Sequence, residues 1–243
     1  MPLPARPMAD SRAAQPVPHS GGFSFTGRGI CQQNRNPLVA NAVLRALLVA
    51  MDQWVSAGTE PPASRLPHIA DGTLVPPLPQ AGQGFPNIPG VKYNGRMHTG
   101  DLFDYGPKFD EQILTIWPPR TVGTPYSALV PKTDADGNDI AGVRLPDVAV
   151  PLATYAGWNL RAMPAGGDDD GCDHAGSLIP FAKTKTERLA SGDGRLSIEE
   201  RYATHADYVA AVASVAHSLA HDRLLLDDDV QNYITTAQAA SVP

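Results

Sequence analysis

The chain has 243 residues, of which 42% are hydrophobic and 18% charged, so it can bury the core of one large domain or of two small ones. Its net charge is −6 and it has no run of lysines and arginines, which argues against a surface that binds nucleic-acid phosphates. No apolar run approaches the roughly 20 residues that span a bilayer, and the first residues lack the continuous apolar segment of an export signal. We therefore expect a soluble protein whose partners include neither nucleic acid nor a membrane.

Proline and glycine are unusually frequent in this sequence. The 24 prolines and 22 glycines are spread along most of the chain rather than confined to one tail. This composition predicts long ordered loops that join a few helices and short strands. No internal repeat and no low-complexity linker marks a second domain.

The first predicted element is a helix that begins at Leu38 and ends at Ala57. Asn36 is a residue type that favours the N-cap, and Pro37 suits the first helical position because its missing N–H is not needed there. Gly58 and the prolines after it end the pattern. The helical spacing of the apolar residues predicts an amphipathic core helix with a stripe of Leu38, Ala42, Leu44, Leu47, Leu48, Met51, Trp54 and Val55.

The segment 63–165 is interrupted by prolines and is interpreted as a loop-rich insertion with short strands. Its candidate strands are Lys92–Tyr93, Ile113–Trp117 and Tyr126–Val130. Asp136, Gly137 and Asn138 predict a turn, and a short strand is expected from Gly142 to Leu145. Four aromatic side chains are expected to pack the insertion against the core rather than to line a substrate pocket: Trp117, Tyr126, Tyr155 and Trp158.

The last part of the chain, 166–243, is predicted to contain an acidic loop and helices. Asp168–Asp170 lie among glycines and are interpreted as a mobile, solvated turn. Ser197 and Glu200 have the spacing of a capping box. A long helix is predicted by the alanines and by Val209, Val212, Val215 and Leu219. A closing helix, capped by Asp227–Asp229, is expected to follow.

The two cysteines, Cys31 and Cys172, lie far apart in the sequence, which excludes a zinc ribbon and a CxxC redox pair. They are expected either as two buried thiols or as a disulfide, because the cellular compartment decides between these states. A bridge between them joins the helical first third of the chain to its loop-rich middle. The sequence leaves both the pairing and the compartment open.

Several acidic or histidine-containing motifs are too incomplete to predict a metal site. The segment 191–200, SGDGRLSIEE, matches the end of an EF-hand loop but lacks the first carboxylate, and 133–139, TDADGND, is a similarly incomplete acidic turn. The cluster DGCDHAGS at 170–177 offers no paired ligand spacing. His217 and His221 are spaced i, i+4 but have no glutamate between them, so surface or half-buried histidines are expected. We therefore expect no metal and no other cofactor.

A serine hydrolase needs its nucleophile on a sharp turn between a strand and a helix, usually in the motif GxSxG, so that the hydroxyl is exposed beside the amides of an oxyanion hole. No serine of this chain has that setting. Ser20 in HSGG and Ser177 in AGSL come closest, but neither follows a plausible central strand. The sequence also has no GxGxxG, no Walker loop and no kinase motif, so cofactor and phosphate chemistry are not expected.

Several ordered blocks of the chain nevertheless resemble one family. In chain order they are GICQQNRNP, LRALLVAMDQWVSAGTEPPASRLP, ADGTLVPP, FPNIPGV, DADGNDIAGVRLPDVAVPLATYAGWNLR and GSLIPFAKTKTERLASGDGRLSIEERY. Together they resemble the C-terminal part of the large bacterial and fungal "alpha/beta hydrolase domain" proteins. These proteins are regarded as serine esterases, are usually much longer than this chain and are often secreted. The resemblance covers residues 18–240.

The resemblance implies a fold class and a domain organisation. The expected fold is the C-terminal portion of an α/β-hydrolase fold, with helices, short strands and long loops, and with the central sheet largely absent from this chain. Residues 18–243 form a single region, and 1–17 a poorly ordered N-terminal segment. Within the region, 18–62 comprise the histidine loop and a late core helix, followed by the insertion and the C-terminal helices.

The resemblance also implies a catalytic residue. In the family the triad follows the order Ser, Asp or Glu, His, and the histidine lies on a loop before a late helix. His19 stands in the matching place ahead of the CQQ block, although Pro18 stands where a Gln commonly precedes the family histidine. Its role is then that of a general base toward a serine hydroxyl. Because the chain contains neither the nucleophile nor the acid, we expect a fragment that is inactive alone.

Three hypotheses for the function follow. In the first, the chain is the C-terminal portion of a serine hydrolase of carboxylic esters, which acts on a small-molecule ester once the missing N-terminal portion is supplied. In the second, it is a non-catalytic binding or structural domain derived from such an enzyme, because no complete catalytic set is present. The third is a calcium-stabilised extracellular module built on the two acidic turns.

Overall fold

The structure is a computed structural model that describes residues 27–96, 101–124, 126–172 and 176–242. Its helices are α1 (Asn41–Ala57), α2 (Gln80–Gln83), α3 (Pro146–Ala149), α4 (Lys185–Ser191), α5 (Ile198–Arg201), α6 (His205–His221) and α7 (Asp227–Ala239). Its strands are β1 (Asn34–Arg35), β2 (Leu74–Val75), β3 (Phe103–Asp104), β4 (Arg120–Thr121), β5 (Val130–Pro131), β6 (Ala153–Ala156) and β7 (Ser177–Pro180). Two 3₁₀ turns lie at Phe109–Glu111 and Met163–Ala165.

Every pair of strands in the described residues is antiparallel. Strands β1, β7 and β6 form a three-stranded sheet in that order, in which Asn34 and Tyr155 both lie opposite Leu178. Two-stranded ribbons join β2 to β5 and β3 to β4. The described part is therefore a mixed α/β structure without a parallel central sheet.

The main apolar core lies where α6 and α7 pack against each other. Both helices confirm the predictions made for the C-terminal part of the chain. Asp227–Asp229 lie in the first turn of α7, where negative charge is favourable, although the N-cap is Leu226 rather than one of them. The buried residues of this cluster are Ala42, Ala216, Leu219, Leu224, Leu225 and Val230.

Helix α1 begins later than predicted. Asn36 is not its N-cap, because the Asn36 Oδ1 accepts a hydrogen bond of 2.9 Å from the Leu38 N–H and forms a local turn instead. The helix starts at Asn41, with Ala40 as the N-cap. Its predicted end is confirmed: Gly58 adopts φ = 71°, a left-handed conformation that favours glycine, and its N–H bonds to the carbonyl of Trp54.

The prediction that the apolar stripe of α1 is buried holds for Ala42 but was wrong for the large side chains from Leu44 to Val55. The buried residues of α1 are three alanines at i, i+4 spacing, Ala42, Ala46 and Ala50. The larger apolar residues lie on the other side and are exposed; Leu48 is 62% exposed and Val55 81%. The helix itself was predicted correctly. Because α1 has apolar residues on two sides, its periodic pattern does not show which side faces the core.

The strands predicted in the insertion were mostly wrong. Lys92–Tyr93, Ile113–Trp117 and Gly142–Leu145 form no strand, and of Tyr126–Val130 only Val130 belongs to β5. Strands β6 and β7 were missed, because segments of four residues carry too little alternation to be recognised. Their pairing depends on partners that are distant in the sequence.

The predicted turn at 136–138 is confirmed, and it packs on β6. The Gly137 N–H bonds to the carbonyl of Asp134 at 3.0 Å, and a Cβ at Gly137 would lie only 2.8 Å from Thr154 Cγ2. Asn138 is fully buried: its Nδ2 donates to the Ala153 carbonyl at 3.1 Å, and its Oδ1 accepts from the Tyr155 N–H at 2.7 Å. The turn therefore forms a specific part of the core.

Two of the four aromatic side chains behave as predicted. Trp158 packs edge-on against the Phe85 and Tyr93 rings, with ring centroids 5.2 and 5.6 Å apart, and Tyr155 is half-buried in β6. Trp117 and Tyr126 are exposed, so the prediction that they pack on the core was wrong. These contacts therefore come from both ends of the insertion, and the exposed Trp117 and Tyr126 take no part in them.

No helix of the described part combines the length and the apolar content needed to cross a membrane.

Candidate functional site

His19, the predicted general base, lies outside the described residues, as do the segment 1–17 and the motif residues Asp173 and His174. The described chain begins at Gly27. The structure therefore bears on the candidate site through the segment that follows the histidine, residues 28–36, which we name the anchor segment.

The anchor segment is joined covalently and by hydrogen bonds to the loop 157–172. Cys31 and Cys172 form a disulfide, which answers the open question about the two thiols. On either side of Cys31, the Gln32 N–H donates to the Leu160 carbonyl and the Ala162 N–H donates to the Ile30 carbonyl, both at 2.7 Å. The backbone on both sides of the disulfide is thus paired.

A buried asparagine connects the anchor segment to the three-stranded sheet. Asn159 Oδ1 accepts from the Gln33 N–H at 3.2 Å, and its Nδ2 donates to the carbonyls of Gln33 and Gly176 at 3.0 and 3.2 Å. The Asn36 N–H also donates to the Gly176 carbonyl. A Cβ at Gly176 would lie 2.3 Å from the Ala156 carbonyl oxygen, so only glycine permits this approach. The anchor segment is therefore fixed to the three-stranded sheet as well as to the loop 157–172.

The carboxylate side chains of the acidic loop are 40–67% exposed, as predicted for a solvated turn, and they lie beside two cations. Lys92 lies between Asp168 and Asp169, and Arg96 lies 3.9 Å from Asp170. The hydrogen bond from Lys92 is the main cause that lowers the pKa of Asp169 below its ordinary value. The Gln32 Nε2 also donates to the Asp168 carbonyl at 2.9 Å, so this loop contacts the anchor segment.

Four carboxylates of the two calcium-like motifs are bound to arginines. In 191–200, Asp193 pairs with Arg195, and Glu200 pairs with Arg188. In 133–139, Asp134 pairs with Arg144, and Asp136 pairs with Arg201. Since a calcium ion needs several free oxygen ligands, these carboxylates serve the fold instead. The capping box is confirmed, with Ser197 and Glu200 in reciprocal hydrogen bonds at the start of α5.

Arg195 is the centre of a buried polar network. Its guanidinium donates to Asp193 Oδ2 at 2.6 Å, to Thr154 Oγ1 at 2.7 Å and to the Ile179 carbonyl at 3.0 Å. Both Arg195 and Arg201 also lie against the Phe181 ring, 5.0 and 4.1 Å from its centroid. The network fastens the β6–β7 pair to the segment before α5.

Replacing Glu200 by glutamine is expected to lower the melting temperature at neutral pH and to have less effect in acid. Hydrogen bonds from Arg188 and Ser197 lower the pKa of Glu200 from 4.5 to about 2. Because the folded-state pKa is the lower one, the stabilisation is complete above the unfolded-state value and is lost as the pH falls toward about 2. Thermal melts of both proteins across this pH range check the prediction. A difference in melting temperature that does not change with pH contradicts it, and exposed Glu111→Gln is the control.

Four tyrosines near the core have pKa values above the ordinary value for tyrosine. Burial is the main cause that raises the pKa of Tyr155, Tyr202, Tyr208 and Tyr233, that of Tyr208 to about 12. The negative charge of Asp147 adds to the effect on Tyr155, Tyr208 and Tyr233. These phenols therefore stay protonated, and the Tyr202 hydroxyl donates to the Pro151 carbonyl at 3.0 Å.

The three histidines of α6 lie in different surroundings. His217 and His221 are exposed, as predicted, and His221 Nδ1 lies 3.3 Å from Asp222 Oδ1. His205 Nε2 lies 3.0 Å from the Ala237 carbonyl oxygen. Among the residues that the structure describes, no group of three or more His, Cys, Asp and Glu side chains is placed to hold a metal ion.

Two shallow grooves flank α1. One, of about 210 Å³, lies between α1 and the start of α7 and is lined by Ala46, Val49, Ala50, Gln53, Ala220, Arg223, Leu225, Leu226 and Asp227. The other, of about 470 Å³, lies on the exposed side of α1 and is lined by Leu48, Val49, Met51, Asp52 and Val55. Neither lining contains a serine, cysteine or histidine, so neither groove is a hydrolytic site by itself.

Reasoning from the sequence missed the two polar residues that organise this region, Asn159 and Arg195. Arg195 lies in a run of polar and glycine residues, where burial leaves no signal in the sequence. Asn159 lies between Trp158 and Leu160, and a lone polar residue in an apolar run is the one signal that points to a buried, hydrogen-bonded side chain.

Comparison with known proteins confirms the resemblance found in the sequence blocks. A family model described as "Alpha/beta hydrolase domain" matches residues 5–235, which is nearly the whole chain. No curated protein and no solved structure matches the chain. The mixed α/β architecture of the described residues agrees with the family match. The chain therefore belongs to the alpha/beta hydrolase domain family.

Proposed function

We propose that this chain is the histidine-bearing C-terminal portion of a serine hydrolase that cleaves carboxylic esters. The observation that carries the proposal is the family match over residues 5–235 in a sequence that contains no GxSxG motif. In this proposal the serine, the acid and the oxyanion hole are supplied by another part of the enzyme, and His19 is supplied by this chain.

The proposed reaction assigns His19 a general-base role. A ring nitrogen of neutral His19 takes the proton of the serine hydroxyl while the hydroxyl oxygen attacks the ester carbonyl carbon. The imidazolium then returns this proton to the leaving alcohol, and an acyl-serine remains. Water repeats the sequence and releases the carboxylic acid. A histidine without its serine contributes no covalent catalysis, so the separate chain is expected to be inactive.

The anchor segment supports the proposal because it gives the histidine loop a fixed end. A general base must reach within hydrogen-bonding distance of the hydroxyl that it deprotonates. The Cys31–Cys172 disulfide and the hydrogen bonds of Asn159 hold the chain that leaves His19 against the loop 157–172. The end of the histidine loop at the anchor segment is therefore fixed.

The separate chain is expected to hydrolyse p-nitrophenyl acetate and butyrate no faster than buffer does. When it is co-expressed with the serine-bearing N-terminal portion of a longer family member, the complex is expected to hydrolyse both esters. His19→Ala is expected to lower this rate by about 10³-fold or more, since triad members act as a unit. His217→Ala, an exposed histidine on α6, is the matched control and is expected to leave the rate unchanged.

Two results contradict the proposal. Turnover by the separate chain that is lost in His19→Ala shows that the chain has its own nucleophile. A purified complex without ester hydrolysis, or with hydrolysis that His19→Ala does not change, favours a non-catalytic binding or structural domain.

A further inference from the structure

Helix α1 has an apolar face that points away from the helices on which it packs. We name this surface the outer face of α1, and it consists of Leu44, Leu47, Leu48, Met51, Trp54 and Val55. The positions repeat at i, i+3, i+4 and i+7 spacing and so form one stripe along the helix. All six side chains are exposed, and none of the described residues buries the stripe.

The opposite face of α1 holds the helix in place. Ala42, Ala46 and Ala50 are buried, and Ala42 packs in one apolar cluster with residues of α6 and α7. The Arg45 guanidinium pairs with the buried carboxylate of Asp229 in α7. Arg223 donates to Gln53 Oε1 at 2.7 Å. Helix α1 is therefore fixed from one side, and its outer face has a defined orientation.

A helix that is apolar on both sides is typical of an internal layer of a protein. Single exposed leucines are ordinary, but a contiguous stripe of large apolar side chains marks an interaction surface. The stripe itself contains no charged residue, and Arg45 and Asp52 lie outside it. The surface thus suits an apolar partner surface rather than a charged one.

We infer that the outer face of α1 docks on the apolar face of a parallel β-sheet that carries the serine nucleophile, an inference that rests on the proposed function. In α/β folds, helices cover both faces of a mostly parallel sheet, and the strands of that sheet are apolar on both faces. The chain belongs to an alpha/beta hydrolase family, yet the strands of its described residues are antiparallel and two to four residues long. None of them covers the stripe.

The order of elements along the chain favours this occupant over a second copy of the chain. His19 precedes the anchor segment, and α1 follows it directly. In the proposed reaction, His19 must reach a serine at the end of a strand in the sheet. A sheet docked on the outer face of α1 lies next to the segment that leads to His19. A second copy buries the same stripe but brings no GxSxG serine.

The test uses the tagged full chain, co-expressed with the portion of a longer family member that ends before the position matching Pro18. Leu48→Asp and Val55→Asp put a charge into the stripe at positions that are 62% and 81% exposed, so each variant chain alone is expected to keep its circular dichroism spectrum and melting temperature. The amount of co-purified portion is expected to fall about ten-fold or more in both variants. Leu189→Asp, at a 62% exposed position of α4, is the matched control and is expected to change nothing.

A covalent version of the same experiment does not depend on the solubility of the separate portion. In a single chain that joins this portion to residues 18–243, Leu48→Asp is expected to lower the melting temperature by about 5 °C or more, because the charge is then buried. Leu189→Asp is expected to leave it unchanged. Equal melting temperatures of the two joined variants overturn the inference.

The outcomes separate the inference from the proposed function. The inference is overturned if the wild-type chain and the Leu48→Asp chain co-purify equal amounts of the serine-bearing portion. It is also overturned if the wild-type chain co-purifies none. A concentration-dependent dimer of the chain alone that Leu48→Asp abolishes assigns the face to a second copy and also overturns it. A complex that depends on Leu48 but hydrolyses no ester contradicts the proposed function and supports the docking. Ester hydrolysis by a complex whose formation is unchanged by Leu48→Asp supports the proposed function and contradicts the docking.

Discussion

Removing the Cys31–Cys172 disulfide is expected to lower the free energy of unfolding by about 3–5 kcal/mol. The bond joins two residues that are 141 positions apart. It therefore closes a long loop in the unfolded chain, and its loss returns a large conformational entropy to the unfolded state. The measurement is urea unfolding of the double variant Cys31→Ala, Cys172→Ala against the oxidised wild type, followed by circular dichroism.

The control for this prediction is the wild type unfolded in the presence of a reductant. Both proteins lack the bond, so their unfolding curves are expected to coincide. The predicted loss also bears on the candidate site, because the anchor segment is fixed to the loop 157–172 through this bond. A double variant within about 1 kcal/mol of the oxidised wild type contradicts the prediction.

Replacing Arg195 by methionine is expected to lower the free energy of unfolding by about 3–5 kcal/mol, because it leaves a buried carboxylate without its partner. Burial opposes ionisation of Asp193, but the hydrogen bonds from Arg195 overcome this and hold the pKa of Asp193 below its ordinary value. The same substitution removes the donors to Thr154 Oγ1 and to the Ile179 carbonyl. Urea unfolding at neutral pH measures the loss.

A second variant distinguishes the cost of leaving the buried Asp193 charge unpaired from the cost of lost packing. Adding Asp193→Asn to Arg195→Met removes the charge, so the double variant is expected to be more stable than Arg195→Met alone. Arg96→Met, whose guanidinium is exposed beside the acidic loop, is the control and is expected to cost less than about 1 kcal/mol. A double variant that is less stable than Arg195→Met contradicts the explanation.

The elements that the sequence predicted well are those with local causes. Helices α6 and α7 follow from a repeating apolar pattern, and the capping box of Ser197 and Glu200 follows from two side chains three residues apart. Gly58 ends α1 because its left-handed backbone conformation is one that glycine adopts without strain. Each of these features depends on residues within a few positions of one another.

The strands and the polar network had no such local cause. Strand β7 is a strand because β1 and β6 supply its hydrogen-bonding partners from distant parts of the chain. Arg195 is buried because the β6–β7 pair and the Phe181 ring close over it. For the candidate site, the family resemblance predicted His19, which lies outside the described residues. The sequence did not predict Asn159, which ties the anchor segment to the sheet.

The sequence by itself determined the helical segments, the caps, the incompleteness of the catalytic and calcium motifs, and the family, because these depend on residue type and short spacing. Only the tertiary structure decided that Cys31 and Cys172 pair, that arginines occupy the acidic motifs, and that α1 buries its alanines and exposes its leucines. The reason is physical: α1 is apolar on two sides, and which side faces the core depends on the shape of α6 and α7 rather than on the period of the helix. That orientation leaves the large apolar side chains of α1 exposed.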